Sequence, residues 1–213
     1  VYTHLARADE PDLEPSRDQL DLFRQLIGAA RARGLDTGCV HFANSAALLS
    51  GAPLLDVAPS DAVRPGLMLY GAKPAYDLTG ELQPVMTLRT RVVALRTVHK
   101  SEAVGYNATF RATRDTRVAT LPVGYGDGVP ISASNRATVL IQGRRFAVVG
   151  RISMDYLGVD VGTAPVALGD EAILFGAGQS AELRVEEAAD AAGTLPYELL
   201  VRVGARVPRV IRS

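Results

Sequence analysis

Several residues of this chain have side chains suited to chemistry at spacings that could gather them. Ser45 follows an apolar run and opens a helix-like stretch. Free backbone N–H groups and a hydroxyl at such a place make an anion site. Arg64 stands before Pro65-Gly66, and its guanidinium keeps its charge at every ordinary pH. Tyr106 follows Val104-Gly105. A free phenol titrates near pH 10, so it can serve as a base only if its pKa is lowered or its proton is passed on. Tyr197 follows Pro196, in the first turn of an expected helix, a position compatible with anion contact. The two lysines are Lys73, in Ala-Lys-Pro, and Lys100, before Ser101-Glu102. Neither lies in an apolar setting that would lower an amine pKa, and both read as solvated. Taken singly, each candidate has a plainer reading: Ser45 as an N-cap, Gly66 as a turn, Arg64 as a surface arginine, His4 as a strand-end histidine bonded to backbone.

The elements that must position these residues change character along the chain. Pro15 and the pair Ser16/Gln19 predict a capping box, and Leu20, Phe23, Leu26, Ile27 and Ala30 then recur at helical spacing as one apolar stripe. Gly34 is the expected C-terminal stop. A strand is expected over Thr37 to Phe42, a polar turn at 43–45, a short helix from Ala46 to Leu49, and a loop at 63–66. Strand and helix alternate here, which predicts an α/β region with a parallel sheet. Past a proline-containing stretch at Ala72 to Pro84 the pattern becomes all-β. Strands are expected at 88–98, 118–123, 137–141, 146–152, 157–161 and 171–175, with a hairpin turn at Gln142-Gly143. Two late helices, Val185 to Ala192 and one from Thr194, precede a last strand at 205–211.

Composition excludes some classes. Of 213 residues, 47% are hydrophobic and 22% charged, as in a folded globular chain. Basic and acidic residues number 23 each, so no basic face points to nucleic acid or an anionic membrane. No apolar run reaches the length of a membrane span. Cys39 is the only cysteine, which rules out an internal disulfide and fits a reducing, cytoplasmic compartment; it reads as a small buried hydrophobe. The chain opens on Val1-Tyr2-Thr3-His4, with neither a start methionine nor a visible signal peptide, and reads as a fragment.

Set in order, the blocks are Tyr2-Thr3-His4 with Asp9, Ala43-Asn44-Ser45-Ala46, Val63-Arg64-Pro65-Gly66, Tyr70-Gly71 and Val104-Gly105-Tyr106. Gly124-Tyr125-Gly126-Asp127-Gly128, Gly150-Arg151-Ile152-Ser153-Met154-Asp155, Tyr197-Glu198 and Arg206-Val207-Pro208-Arg209 follow. Together they resemble the alanine racemase family, which uses pyridoxal 5′-phosphate (PLP). The resemblance implies the C-terminal part of a (β/α)8 TIM-type barrel over residues 1–76 and a β-rich C-terminal domain over residues 77–213. It also implies that the cofactor lysine belongs to an N-terminal region with no counterpart here. This chain alone should then be inactive.

The same resemblance assigns roles. Ser45, Gly66 and the backbone at Leu67 contact the cofactor phosphate, with Asn44 lining the same pocket and Tyr197 bonding the phosphate. Arg64 faces the pyridine nitrogen. Since a guanidinium cannot give up its proton, the ring is a weaker electron sink, which suits α-proton exchange and suppresses transamination. Tyr106 is the base on the L-face, reaching the partner subunit's barrel in a homodimer with shared active sites, and His4 is its hydrogen-bonding helper. Met154, Asp155 and Tyr125 meet the substrate side, and Tyr125 and Asp9 belong to the corridor leading in. Ile131 occupies the place of a usual gate arginine, for which Arg136 could substitute. His41 and His99 match no site position and read as structural. The implied activity is interconversion of L- and D-alanine for peptidoglycan precursors, with a companion chain as one possible source of the missing lysine. Two rivals stay open: a non-catalytic binding or dimerisation module of the same fold, and a racemase for another small amino acid such as serine.

Overall fold

The computed structural model describes residues 1–75, 78 and 80–211. The chain divides into two compact units, Val1–Gln83 and Pro84–Ser213. The boundary expected between 76 and 77 falls on Tyr76 and Asp77, outside the described residues.

The first unit holds helix α1 (Glu14–Ala32), strand β1 (His41–Asn44), helices α2 (Ser45–Ser50) and α3 (Ala52–Leu55), and strand β2 (Ala62–Arg64). β1 and β2 pair in parallel, and Tyr2 makes a parallel bridge to His41. Three consecutive chain segments thus lie side by side, as an α/β pattern requires. α1 packs Leu20, Phe23 and Ile27 onto a core with Val40, Phe42, Ala46 and Leu54. Each fully buried side chain of this size stabilises by about 1.5–3 kcal/mol.

Several local expectations fail in this unit: β1 begins at His41 rather than Thr37, and the turn expected at 43–45 is instead the end of β1 and the start of α2. α1 begins three residues early, at Glu14, whose amide donates to Asp12 Oδ1 at 3.1 Å. Ser16 therefore lies inside the first turn, 1% exposed, and Gln19 does not cap. Its Nε2 donates instead to Thr3 Oγ1 and to the His4 carbonyl, both at 2.9 Å. The residue expected to start the helix in fact holds the His4 segment onto it. Leu26 is 60% exposed rather than part of the buried stripe; at 3.6 residues per turn it lies on the flank of the face centred on Leu20, Phe23 and Ile27. The expected loop at 63–66 begins as strand β2, because it pairs with β1.

The second unit carries β3 (Leu88–Arg91), β4 (Ala94–Val98), β5 (Ala103–Val104), β6 (Phe110–Arg111), β7 (Thr116–Leu121), β8 (Thr138–Ile141), β9 (Arg144–Val149), β10 (Leu157–Asp160), β11 (Glu171–Ala177), β12 (Glu182–Leu183) and helices α4 (Val185–Ala192) and α5 (Pro196–Arg202). Eight strands form an antiparallel sheet in the order β12-β11-β8-β9-β10-β7-β4, with β3 also on β11. The run 88–98 is therefore not one strand. It leaves β11 at Val92 and joins β7 from Ala94. The Gln142-Gly143 hairpin forms as expected, with φ of 52° and 72°, the left-handed pair that a tight two-residue turn needs. No strand forms at 205–211. Pro208 has no N–H to donate, and Val210 and Ile211 are exposed, so no partner or core rewards extension.

β5 and β6 form a separate two-stranded hairpin. Val104 packs with Val98, Ala112, Val118 and Val149, and Phe110 leans on the same cluster. At its base the exposed His99 Nδ1 meets Asp115 Oδ2 at 3.1 Å, while Asp115 Oδ1 accepts the Lys100 amide at 2.8 Å and Glu102 accepts the His99 amide at 2.8 Å. The bond to Asp115, and then its charge, raise the His99 pKa above its ordinary value; the Lys100 amide, and then His99, lower that of Asp115. A raised histidine pKa contributes stability that is full below about pH 6.5 and is lost as pH rises through the folded value. Solvent screening keeps the energy small. An NMR titration of the His99 ring is expected to show a midpoint above that of a free imidazole, returning toward it in Asp115→Asn; equal midpoints in both proteins refute the clasp.

Candidate functional site

The candidate residues fall into two groups, one in each unit. In the first, parallel pairing sets Asn44 opposite Arg64. The Arg64 guanidinium is firmly held. Its Nη2 donates to the Thr3 carbonyl at 3.0 Å and the Phe42 carbonyl at 3.2 Å, and meets His4 Nδ1 at 3.3 Å. Its Nη1 makes a short contact to His41 Nδ1. Guanidinium only donates, so both imidazoles accept at Nδ1 and carry their ring proton at Nε2. The Arg64 charge also lies 5.1 Å from the centre of the Tyr2 ring, which stacks on His41 at 5.3 Å, a cation–π arrangement. Arg64 Nε has no hydrogen-bond partner among the described residues.

His41 is thus the arginine's partner rather than a histidine outside the site. Sequence gave no hint, because it cannot show that a histidine on β1 and an arginine on β2 share a register. Gln19 is the other residue missed, since its hold on Thr3 and His4 depends on how α1 packs.

Ser45 is 1% exposed at the start of α2. The N-cap is Asn44, whose Oδ1 accepts the Ala47 amide at 3.0 Å and whose Nδ2 donates to the Leu5 carbonyl at 3.4 Å. Ser45 Oγ is therefore not spent on capping; it accepts the Met68 amide at 3.3 Å. A Cβ on Gly66 would sit 3.9 Å from that hydroxyl, so glycine leaves the space before Ser45 open. Leu67 begins the 3-10 turn that follows. Lys73 is not simply solvated, because its Nζ donates to the Leu78 carbonyl at 2.7 Å.

In the second unit, Tyr106 sits on a one-turn 3-10 segment between β5 and β6, 69% exposed. A cavity of about 420 Å³ opens beside it, lined in part by Arg96, Arg151, Ser153 and Tyr156. These four were not singled out from sequence, although Arg151 and Ser153 stand in the block that ends in Met154-Asp155. Tyr125, Met154 and Asp155 form a second cluster. The Tyr125 amide donates to the Ser153 carbonyl at 3.0 Å and the Gly126 amide to the Met154 carbonyl at 2.9 Å. A side chain at Gly124 would overlap the carbonyls of Ser153 and Met154, so the two turns can touch only through glycine.

Arg206 ties this cluster together. Its Nη2 donates to Asp155 Oδ1 at 2.6 Å, and its Nε lies 3.2 Å from Asp127 Oδ1, while Asp127 Oδ2 accepts the Gly124 amide at 3.0 Å. Ile131 opens a further 3-10 turn, and Arg136 has no ion-pair partner among the described residues. The arginine that pairs with the Gly-Asp-Gly turn is Arg206, about eighty residues away in sequence and visible there only as part of Arg-Val-Pro-Arg. Tyr197 lies in the first turn of α5, partly exposed, as its place after Pro196 suggested.

Known proteins match both units. The family model described as alanine racemase, N-terminal domain, matches residues 1–74, and that described as alanine racemase, C-terminal domain, matches residues 85–211. An alanine racemase of Thermobifida fusca is 43% identical over 99% of this chain and 55% of its own length. The crystal structure of the biosynthetic alanine racemase from Pseudomonas aeruginosa superimposes with a TM-score of 0.87 at 43% identity, covering 98% of this chain and 56% of that one. That of the Bartonella henselae alanine racemase with covalently bound pyridoxal phosphate gives 0.84 at 31% identity, covering 99% and 55%. The chain spans about half the length of the relatives it matches.

Proposed function

We propose, since this chain belongs to the alanine racemase family, that it is the C-terminal part of a PLP-dependent alanine racemase interconverting L- and D-alanine. Residues 1–76 would be the last strands and helices of a (β/α)8 barrel, and residues 77–213 its β-domain. The observation that carries the reading is the Arg64 nest. A permanent cation is fixed by two backbone carbonyls and two imidazoles, with Nε left over for an acceptor.

The residues present fit the cofactor. Ser45 Oγ, free of capping and facing the Cβ-free space at Gly66, would hold the phosphate with the Leu67 backbone and Tyr197. Arg64 Nε would face the ring nitrogen, and Asn44 would shape the same wall. PLP supplies an electron sink for the α-carbanion. The side chains do the rest. Arg64 keeps its own proton and gives none to the ring. Tyr106 takes and returns the α-proton on the L-face, and His4, with its proton on Nε2, hydrogen-bonds that phenol. Met154, Asp155 and Tyr125 orient the small substrate at the mouth. The protein would work in the cytoplasm as a homodimer with shared active sites. No helix among the described residues is long and apolar enough to cross a membrane.

The base on the opposite face is a lysine, and neither Lys73 nor Lys100 suits that task. We assign it to the polypeptide that relatives carry ahead of the matched region, whether on the same chain or a companion. The test compares this chain alone with the same chain joined by a polypeptide covering that region, both with PLP, followed by borohydride trapping and peptide mass spectrometry. Racemisation of alanine, and a trapped lysine in the added region, are expected only in the joined sample. Racemisation by this chain alone, or trapping at Lys73 or Lys100 in an active sample, overturns the assignment.

A further inference from the structure

The turn bearing Tyr106 is held in a conformation its own sequence does not favour. Gly105, Asn107 and Ala108 have φ of 75°, 61° and 48°. The left-handed region disfavours side chains other than glycine and asparagine, so Ala108 in particular must be held there by its surroundings. The turn has no side-chain cap of its own, and the β5–β6 ladder is two residue pairs long.

What restrains it comes from outside the hairpin. The backbone after β9 lies directly against it. A Cβ on Gly150 would come 2.5 Å from the Val104 carbonyl oxygen, and one on Gly105 would come 2.9 Å from the Arg151 nitrogen. One side chain joins the two. Asn135 Oδ1 accepts the Gly150 amide at 2.6 Å, and its Nδ2 donates to Thr109 Oγ1, the residue closing the Tyr106 turn, at 3.1 Å. An amide N–H can only donate, so the Gly150 bond fixes the carboxamide's orientation and leaves Nδ2 for Thr109. Asn135 itself has φ 59°, which asparagine tolerates. Ser134 continues the staple, its Oγ accepting the Ile152 amide at 3.0 Å.

We propose that Asn135 is a positioning residue for the Tyr106 phenol. It clamps the Tyr106–Thr109 turn to the Gly150–Arg151 backbone and so fixes the turn from which the phenol projects, beside the cavity that Arg151, Ser153 and Tyr156 help to line. The inference rests on the racemase reading for its catalytic consequence, but not for its structural one.

The experiment has two arms. In this chain, Asn135→Gly keeps a backbone suited to positive φ and deletes both bonds. Amide hydrogen exchange at Gly150 should accelerate roughly three- to tenfold, and the Tyr106 ring NMR signals should shift. Asn135→Asp keeps the acceptor and should preserve Gly150 protection while moving the Tyr106 ring. Thr109→Val, which cuts only the link to the turn, should do the same. In the complete enzyme all three should lower kcat by about tenfold or more, with KM for alanine changed less than kcat. Unchanged Tyr106 signals in both Asn135→Gly and Thr109→Val overturn the proposal, as does unchanged kcat in an active enzyme. Ring signals that shift in the variants, beside a complete wild-type protein that does not racemise alanine, leave the clamp standing and refute the racemase reading instead.

Discussion

In the complete, PLP-loaded protein, Tyr106→Phe lowers alanine racemisation by about 10²- to 10⁴-fold, the usual contribution of a positioned acid–base group. The ring stays and only the hydroxyl goes. Since Tyr106 is mostly exposed, folding stability should change by no more than about 0.5 kcal/mol. The diagnostic measurement is not the rate alone. In deuterated water, the α-proton of L-alanine should no longer exchange, while that of D-alanine, handled by the opposite base, should still wash out. This asymmetry follows from one base on each face. Exchange of the L-alanine proton at the wild-type rate would remove Tyr106 from the role.

The second large effect is expected at Arg64. Arg64→Glu strips the Thr3 and Phe42 carbonyls of their donor and puts an acid beside them. A part-buried acceptor left unpaired costs about 1–3 kcal/mol, so a combined loss of roughly 3 kcal/mol and a Tm lower by about 6–12 °C are expected by calorimetry. In whatever fraction folds and binds cofactor, a protonatable group now faces the ring. Transamination should rise relative to racemisation, measured as pyruvate formed per turnover. A product ratio equal to that of wild type would refute the ring-facing role. Arg64→Lys should recover the charge but not the fork, and so only part of the stability.

Much of the molecule was legible because local chemistry dictates it. The apolar runs with alternating faces became β7 to β11, with bounds within two residues except that β9 ends at Val149, three residues before its expected end. Gln142-Gly143 turned because few residues other than glycine and asparagine sit well at positive φ. Arg64 and Tyr106 stood out because their ordered neighbours are specific, and both residues sit at the ends of short strands or turns where such side chains can be presented. Local rules failed where a distant segment competes. Gln19 bonds the Thr3–His4 segment rather than a helix start, and residues 88–98 split between two partners that lie on opposite sides of the sheet order. The tail at 205–211 opens with a turn, the Val207 amide donating to the Gly204 carbonyl at 3.2 Å, and forms no strand, having a proline and little to bury.

The linear order of residues by itself determined the two-part architecture, the family, and which side chains could do chemistry, since these depend on periodicity, turn chemistry and short specific blocks. Only the tertiary structure decided how those side chains are held. His41 locks Arg64, Arg206 bridges Asp127 and Asp155, and Asn135 pins the turn of Tyr106. Each of these joins residues 15 to 79 positions apart. A hydrogen bond acts over about 3 Å, and strand register and backbone contacts through glycine bring such partners together, information that no local stretch of sequence carries.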